Sequence, residues 1–141
     1  MSDRNFFDTN IFVYSVDSGA PRSKATSATA LIRAGIANRN AVVSYQVIQE
    51  FVNVALRKFE VPMVPSDLGD FIDRSFRCMA VVHSSLELFH AALTIQSRYR
   101  LSWYDSIIVG AAIESGCSTL YSEDMQHGAK FGAMQVQNPF R

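Results

Sequence analysis

The stretch Asn5-Phe6-Phe7-Asp8-Thr9-Asn10-Ile11-Phe12-Val13-Tyr14-Ser15-Val16 decides the fold class, because its period changes partway along. Asn5-Phe6-Phe7 is short and apolar and reads as a strand ending at Asp8. Ile11–Val16 reads as a short helix, closed by the turn-forming Asp17-Ser18-Gly19. The same switch recurs downstream. Ala41-Val42-Val43 reads as a buried strand, and Ser44 as the N-cap of a helix whose Val47, Ile48, Phe51, Val54 and Ala55 form one apolar stripe. Ala25–Ala37, Asp67–Arg77 and Leu86–Arg98 have helical spacing, and Val61-Pro62-Met63-Val64-Pro65 separates two of the helices. Ser102-Trp103-Tyr104-Asp105 opens a last helix, with Gly116 at its C′ position. Cys78–Val82, Ser118–Tyr121 and Met134–Val136 complete the strands. Short apolar strands alternating with helices predict an α/β fold with a mainly parallel sheet covered on both faces.

The whole chain of 141 residues reads as a single domain, 1–141, with no repeat or linker. Hydrophobic residues make up 48% and charged residues 18%, which excludes disorder as the main state. The longest runs without Asp, Glu, Lys or Arg are ten residues, whereas a membrane helix needs about 18. The first residues carry no apolar run of signal-peptide length. Cys78 and Cys117 stand in unrelated contexts. The expectation is a reduced, cytoplasmic protein without a membrane partner. Thirteen basic residues balance 13 acidic ones, and taken at face value this argues against a nucleic-acid partner.

The placement of four acids changes that reading. In open parallel sheets, ligands bind beyond the carboxyl ends of the strands. Asp8 ends the first strand, Glu50 lies nearly two turns into the helix after the second, Asp105 sits in a first helical turn, and Asp124 follows the strand ending at Tyr121. Each also has an ordinary structural role open to it: an Asx turn for Asp8, a solvated helix position for Glu50, a capping box for Ser102 and Asp105, a surface turn for Glu123-Asp124. Convergence favours a site. Two carboxylates about 5 Å apart repel by roughly 3 kcal/mol at an effective dielectric near 20, so a group of them must protonate or hold cations. Oxygen ligands without His or Cys favour Mg²⁺ or Mn²⁺ over Zn²⁺, and such ions assist phosphodiester hydrolysis.

At these residues the chain resembles the PIN-domain nucleases, most closely the toxin ribonucleases of VapBC-type toxin–antitoxin pairs. The resemblance rests on Phe7-Asp8-Thr9-Asn10, Ser44-Tyr45-Gln46-Val47-Ile48-Gln49-Glu50-Phe51, Trp103-Tyr104-Asp105-Ser106-Ile107-Ile108-Val109-Gly110-Ala111-Ala112 and Leu120-Tyr121-Ser122-Glu123-Asp124-Met125-Gln126-His127-Gly128. It implies a three-layer α/β/α sandwich whose acidic Mg²⁺ or Mn²⁺ pocket cleaves RNA, a homodimer, and a small antitoxin that blocks the pocket. Asp8, Glu50 and Asp105 match the core acids of the family and Asp124 a fourth, more variable position. Asn10 and Ser122 match small polar residues that support the pocket. On this resemblance Asp8 and Asp105 bind the ion directly, Glu50 binds it directly or through a water and helps orient the attacking water, and Asp124 completes the site or recruits a second ion. Gln126 departs from the pattern, since many relatives carry a further carboxylate there, and the adjacent Glu123 leaves the register of the fourth acid open. Setting the four acids aside leaves nine against 13 bases, so the remainder of the protein is basic by about +4.

His83, His90 and His127 show no zinc-type spacing, and there is no phosphate-binding GxxxxGK[ST] loop, GxGxxG or GxSxG. Trp103 and Tyr104 read either as base-stacking residues or as packing at a helix start; Arg57, Lys58, Arg74, Arg77, Arg98, Arg100 and Lys130 are candidate phosphate contacts. Two rival readings remain open. One is a non-catalytic PIN-like module that only binds RNA or protein. The other is a phosphatase using Asp8 as nucleophile, whose best-known family wants a second Asp where Asn10 stands.

Overall fold

The computed structural model describes residues 3–141. The chain runs β1 (Arg4–Phe7), α1 (Thr9–Val16), α2 (Arg22–Ala37), β2 (Ala41–Ser44), α3 (Tyr45–Arg57), α4 (Pro65–Arg74), a 3₁₀ turn (Phe76–Cys78), β3 (Ala80–Val82), α5 (Leu86–Tyr99), α6 (Trp103–Glu114), β4 (Cys117–Tyr121), β5 (Lys130–Phe131) and β6 (Met134–Gln137). The strands form one sheet in the order β3-β2-β1-β4-β6-β5, parallel except for the β5–β6 pair. The sheet grows from β1 through β2 to β3 on one side, and the chain then returns to place β4 on the other. The switch point therefore lies between β1 and β4, where open α/β sheets leave a crevice at their carboxyl ends.

Both side chains of Phe6 and Phe7 are buried, as are all four residues of β2, so the middle of the sheet is covered on both faces. Helix α1 packs against α2 and α3, and α5 against α6. The expected α/β sandwich is present. Its core is anchored by a ring cluster in which Phe12 meets Phe76, Phe7 and Phe51 at centroid distances of 4.8, 6.0 and 6.2 Å, with Phe71 against Phe51 and Phe76. Phe51 and Phe59, with Phe12, belong to this core, whereas Tyr14 is half-buried and turns to Phe140. Trp103 packs on Phe89 of α5, which leaves Tyr104 exposed.

Element boundaries differ from the sequence expectations where polar residues or prolines hide the ends. Helix α1 starts at Thr9 because Asp8 caps it, and α2 starts at Arg22 directly after Pro21. The helix expected over Asp67–Arg77 runs from Pro65, which suits a first helical position, and stops at Arg74. Phe76 then enters the ring cluster from the separate 3₁₀ turn, and this shortens β3 at its start. The sequence reading missed β5, which pairs with β6 through the two-residue Gly132-Ala133 turn, Gly132 taking φ +64°.

Helix α2 approaches the sheet through Gly35. A Cβ there would lie 2.8 Å from the Ala41 Cβ and 3.0 Å from the Phe7 ring. Gly35→Ala is therefore expected to destabilise the fold by about 1–2 kcal/mol despite alanine's better helix propensity, read as a lower urea midpoint at unchanged m.

Candidate active site

Asp8 leaves β1 at the switch point. Its backbone N–H donates to the Tyr121 carbonyl at the end of β4 at 3.0 Å, which brings the two strand ends side by side. Both carboxylate oxygens of Asp8 are held: Oδ1 accepts from the Thr9 N–H at 2.7 Å, and Oδ2 from the hydroxyl of Ser122, the residue after β4, at 2.9 Å. Asp8 is thus the N-cap of α1 and a member of the site at once. Ser122 is fully buried, and its Oγ also accepts from the Met125 N–H at 3.3 Å, shaping the loop that carries Asp124.

Helix α3 brings Glu50. Its Oε2 accepts from the Thr9 hydroxyl at 2.8 Å and its Oε1 from the Gln46 amide, one helical turn earlier, at 3.0 Å. Asp105 stands in the first turn of α6, where the Ser102 hydroxyl accepts from the Asp105 N–H at 3.1 Å, so the N-cap half of the expected capping box forms. Asp124 accepts from the Asn10 amide at 3.1 Å. The four acids Asp8, Glu50, Asp105 and Asp124 line one cavity of about 300 Å³, together with Thr9, Asn10, Gln46, Tyr104 and Lys58. Lys58 is the single cation in that lining among the described residues. Glu123 turns the other way, into an ion pair with Lys24 at 2.6 Å and a hydrogen bond from the Tyr14 hydroxyl. Of the adjacent pair, it is Asp124 that faces the cavity.

The electrostatics match the crowding. Burial, and then the Glu50 and Asp105 charges, push the Asp8 carboxyl up to about 6 against the lowering effect of its Thr9 and Ser122 hydrogen bonds. Asp105 is raised as well, by desolvation first and then by the charges of Asp124 and Glu50, with Ser102 opposing. Glu123 is lowered: its Lys24 and Tyr14 partners outweigh desolvation.

Sequence reasoning missed Thr9 and Gln46, which hold Glu50 from two sides. The available signals were the adjacency of Thr9 to Asp8 and the four-residue helical spacing of Gln46 from Glu50. Among the described residues the Gln46 Oε1 is buried without a partner, beside these carboxylates. The histidines stay outside: His127 Nδ1 accepts from the Asn138 N–H at 3.0 Å, and His83 packs edge-on against Tyr45.

Among the described residues, no three His, Cys, Asp or Glu side chains are arranged to hold a metal ion by themselves. The donor chemistry nevertheless fits a hard divalent cation that keeps part of its water shell. The carboxylates are clustered, neutral donors orient three of them, and Asp8 is raised by burial first and by its acidic neighbours second. No helix of the described residues is long and apolar enough to cross a membrane.

A parallel α/β sheet, covered on both faces and opening at its switch point into a carboxylate-lined cavity, defines the class of protein. The chain belongs to the PIN domain family, whose model matches residues 6–129. Among solved structures, it is similar to a toxin–antitoxin complex from Klebsiella pneumoniae, with a TM-score of 0.68 and 18% identity over 96% of this chain and 97% of that one. It is also similar to VapC20 of Mycobacterium tuberculosis, described as a toxin that cleaves the sarcin–ricin loop, with a TM-score of 0.67 and 19% identity over 85% of this chain and 89% of that one. FitAB bound to a DNA fragment aligns with a TM-score of 0.71 and 15% identity over 97% and 96%. At these identities the likeness is one of fold. No curated protein sequence matches the chain.

Proposed function

We propose that this single PIN domain, residues 1–141, is a metal-dependent endoribonuclease that hydrolyses RNA phosphodiester bonds, and that it serves as the toxin of a toxin–antitoxin pair. The observation that carries this reading is the gathering of Asp8, Glu50, Asp105 and Asp124, from four distant segments, around one cavity at the switch point. Repelling carboxylates cost stability and have no use in a scaffold, so they argue for catalysis over a binding module.

Asp8 and Asp105 would hold a Mg²⁺ or Mn²⁺ ion, with Asp124 completing the site. When bound, such an ion supplies charge neutralisation at the phosphate and an acidified water. Glu50, fixed by Thr9 and Gln46, would orient the attacking water and take its proton. Ser122 and Asn10 hold Asp8 and Asp124 in register. Lys58 offers a positive contact to the phosphate, and exposed Tyr104 a ring at the cavity mouth. An antitoxin would act by covering this mouth, and the protein would work in the cytoplasm as a homodimer.

The test is cleavage of total RNA by the purified protein with Mn²⁺ or Mg²⁺, beside Asp105→Asn. Cleavage by the wild type and loss in the variant is expected; equal cleavage by both would sink the assignment. Ser122→Ala is expected to weaken Mn²⁺ binding by about 10–100-fold in calorimetry, since Asp8 loses its orienting hydroxyl. Unchanged affinity would remove Ser122 from the site.

A further inference from the structure

The acidic cavity is not alone at this edge of the sheet. Asp105 and Asp124 also form one wall of a second cavity, of about 320 Å³. Met125 and Phe131 are buried beneath it and Leu101 is half-buried, so apolar side chains lie among polar ones. The Tyr99 ring is braced by the edge of Phe131, with centroids 4.8 Å apart and planes at 75°, yet 36% of Tyr99 stays exposed. At the rim stand Gln126 and Lys130, both exposed. Neither side chain makes a hydrogen bond or ion pair among the described residues.

We propose that this second cavity holds one unpaired nucleobase of the RNA strand, next to the phosphate presented to the acidic cavity, and that Gln126 reads that base. The inference rests on the ribonuclease reading and adds to it a site of sequence preference. The two acids on the shared wall repel an anion from the interior, and the neutral face of a base meets no such repulsion. The partly exposed Tyr99 ring offers a surface on which the face of a base can stack, and the polar groups beside it suit the edge of that base. The Gln126 amide offers two donors and an acceptor to the edge of that base, and Lys130 is placed at the rim for the phosphate attached to it. The two cavities are also mechanically tied. The Ser122 hydroxyl that donates to Asp8 accepts from the N–H of Met125, and the Gln126 carbonyl accepts from the Ala129 N–H at 3.2 Å, so the loop carrying the reader is anchored to the acidic site.

The first experiment needs no cleavage. Methyl NMR signals of Leu101, Met125 and Ala129 are followed in metal-free protein titrated with adenosine monophosphate, uridine monophosphate or ribose 5-phosphate. The nucleotides are expected to move these signals and the base-free sugar phosphate to leave them in place. Gln126→Leu, at an exposed position, should weaken the stronger nucleotide by about three- to tenfold. Signals that ignore the nucleotides, or follow ribose 5-phosphate equally, would overturn the base pocket. The second experiment sequences the ends cut from RNA with a randomised stretch. Wild type should prefer one base at one position beside the cut, and Gln126→Leu should flatten that preference. Cleavage with an identical base profile in both proteins would overturn the role of Gln126 and leave the ribonuclease standing. Nucleotide-induced shifts without any cleavage would uphold the base pocket and overturn the ribonuclease.

Discussion

Asp8→Asn is expected to stabilise the metal-free protein by about 2–3 kcal/mol at pH 7 and to cut RNA cleavage severely. The stability gain follows from linkage. The carboxyl titrates near 3.8 in the unfolded chain and about 6 in the fold, so the folded state holds the proton more tightly. Its contribution is fully present below pH 4 and is lost as pH rises through about 6. Wild type should therefore lose urea resistance between pH 4 and 7 for this reason, and the variant should lack that component. Asparagine can still accept from the Thr9 N–H, and the Ser122 hydroxyl can turn to accept from its amide, so the local hydrogen bonds survive. Mn²⁺ should restore stability to the wild type and do little for the variant. Cleavage should fall by at least about 10²-fold, the scale of removing one electrostatic stabiliser from an active site. A variant destabilised at pH 7 would contradict the electrostatic strain assigned to Asp8.

Phe12→Ala is expected to cost about 3–5 kcal/mol, a large share of the roughly 5–15 kcal/mol that holds a domain together. Phe12 is fully buried and touches the rings of Phe7, Phe51 and Phe76, so its removal opens a cavity among β1, α3 and the 3₁₀ turn. The expected signature is a fall in Tm of about 10–20 °C. Phe12→Leu, which refills most of the volume, should lose less than about 1.5 kcal/mol. The loss should reach the site as well, because Phe12 lies one turn into the helix that Asp8 caps. Similar Tm values for Phe12→Ala and wild type would mean that the ring cluster is not the anchor of this core.

Much of this was legible in the chain itself. Strand and helix periods around Phe7, Val43 and Leu120 mark an α/β sheet because burial on both faces demands continuous apolar runs. Ser44, Ser85 and Ser102 all cap the helices that follow them, a local contact needing no distant partner. The two-residue strand β5 is not legible in the sequence because its pairing is a matter of geometry at Gly132 rather than of hydrophobic pattern.

The sequence alone determined which acids were available, at the ends of which elements, and that they are too many to sit together without a cation or a proton. Tertiary structure decided the rest. The return of the chain to set β4 beside β1 joins Ser122 to Asp8 across 114 positions, and α1 brings Asn10 to Asp124 across the same separation. It also split the pair Glu123-Asp124, sending one to Lys24 and the other to the cavity, and it set Thr9 and Gln46 around Glu50. Spacing carries helix and strand because those contacts are local. A hydrogen bond between residues far apart in the chain depends on which strand lies next to which, and that emerges only when the sheet is assembled.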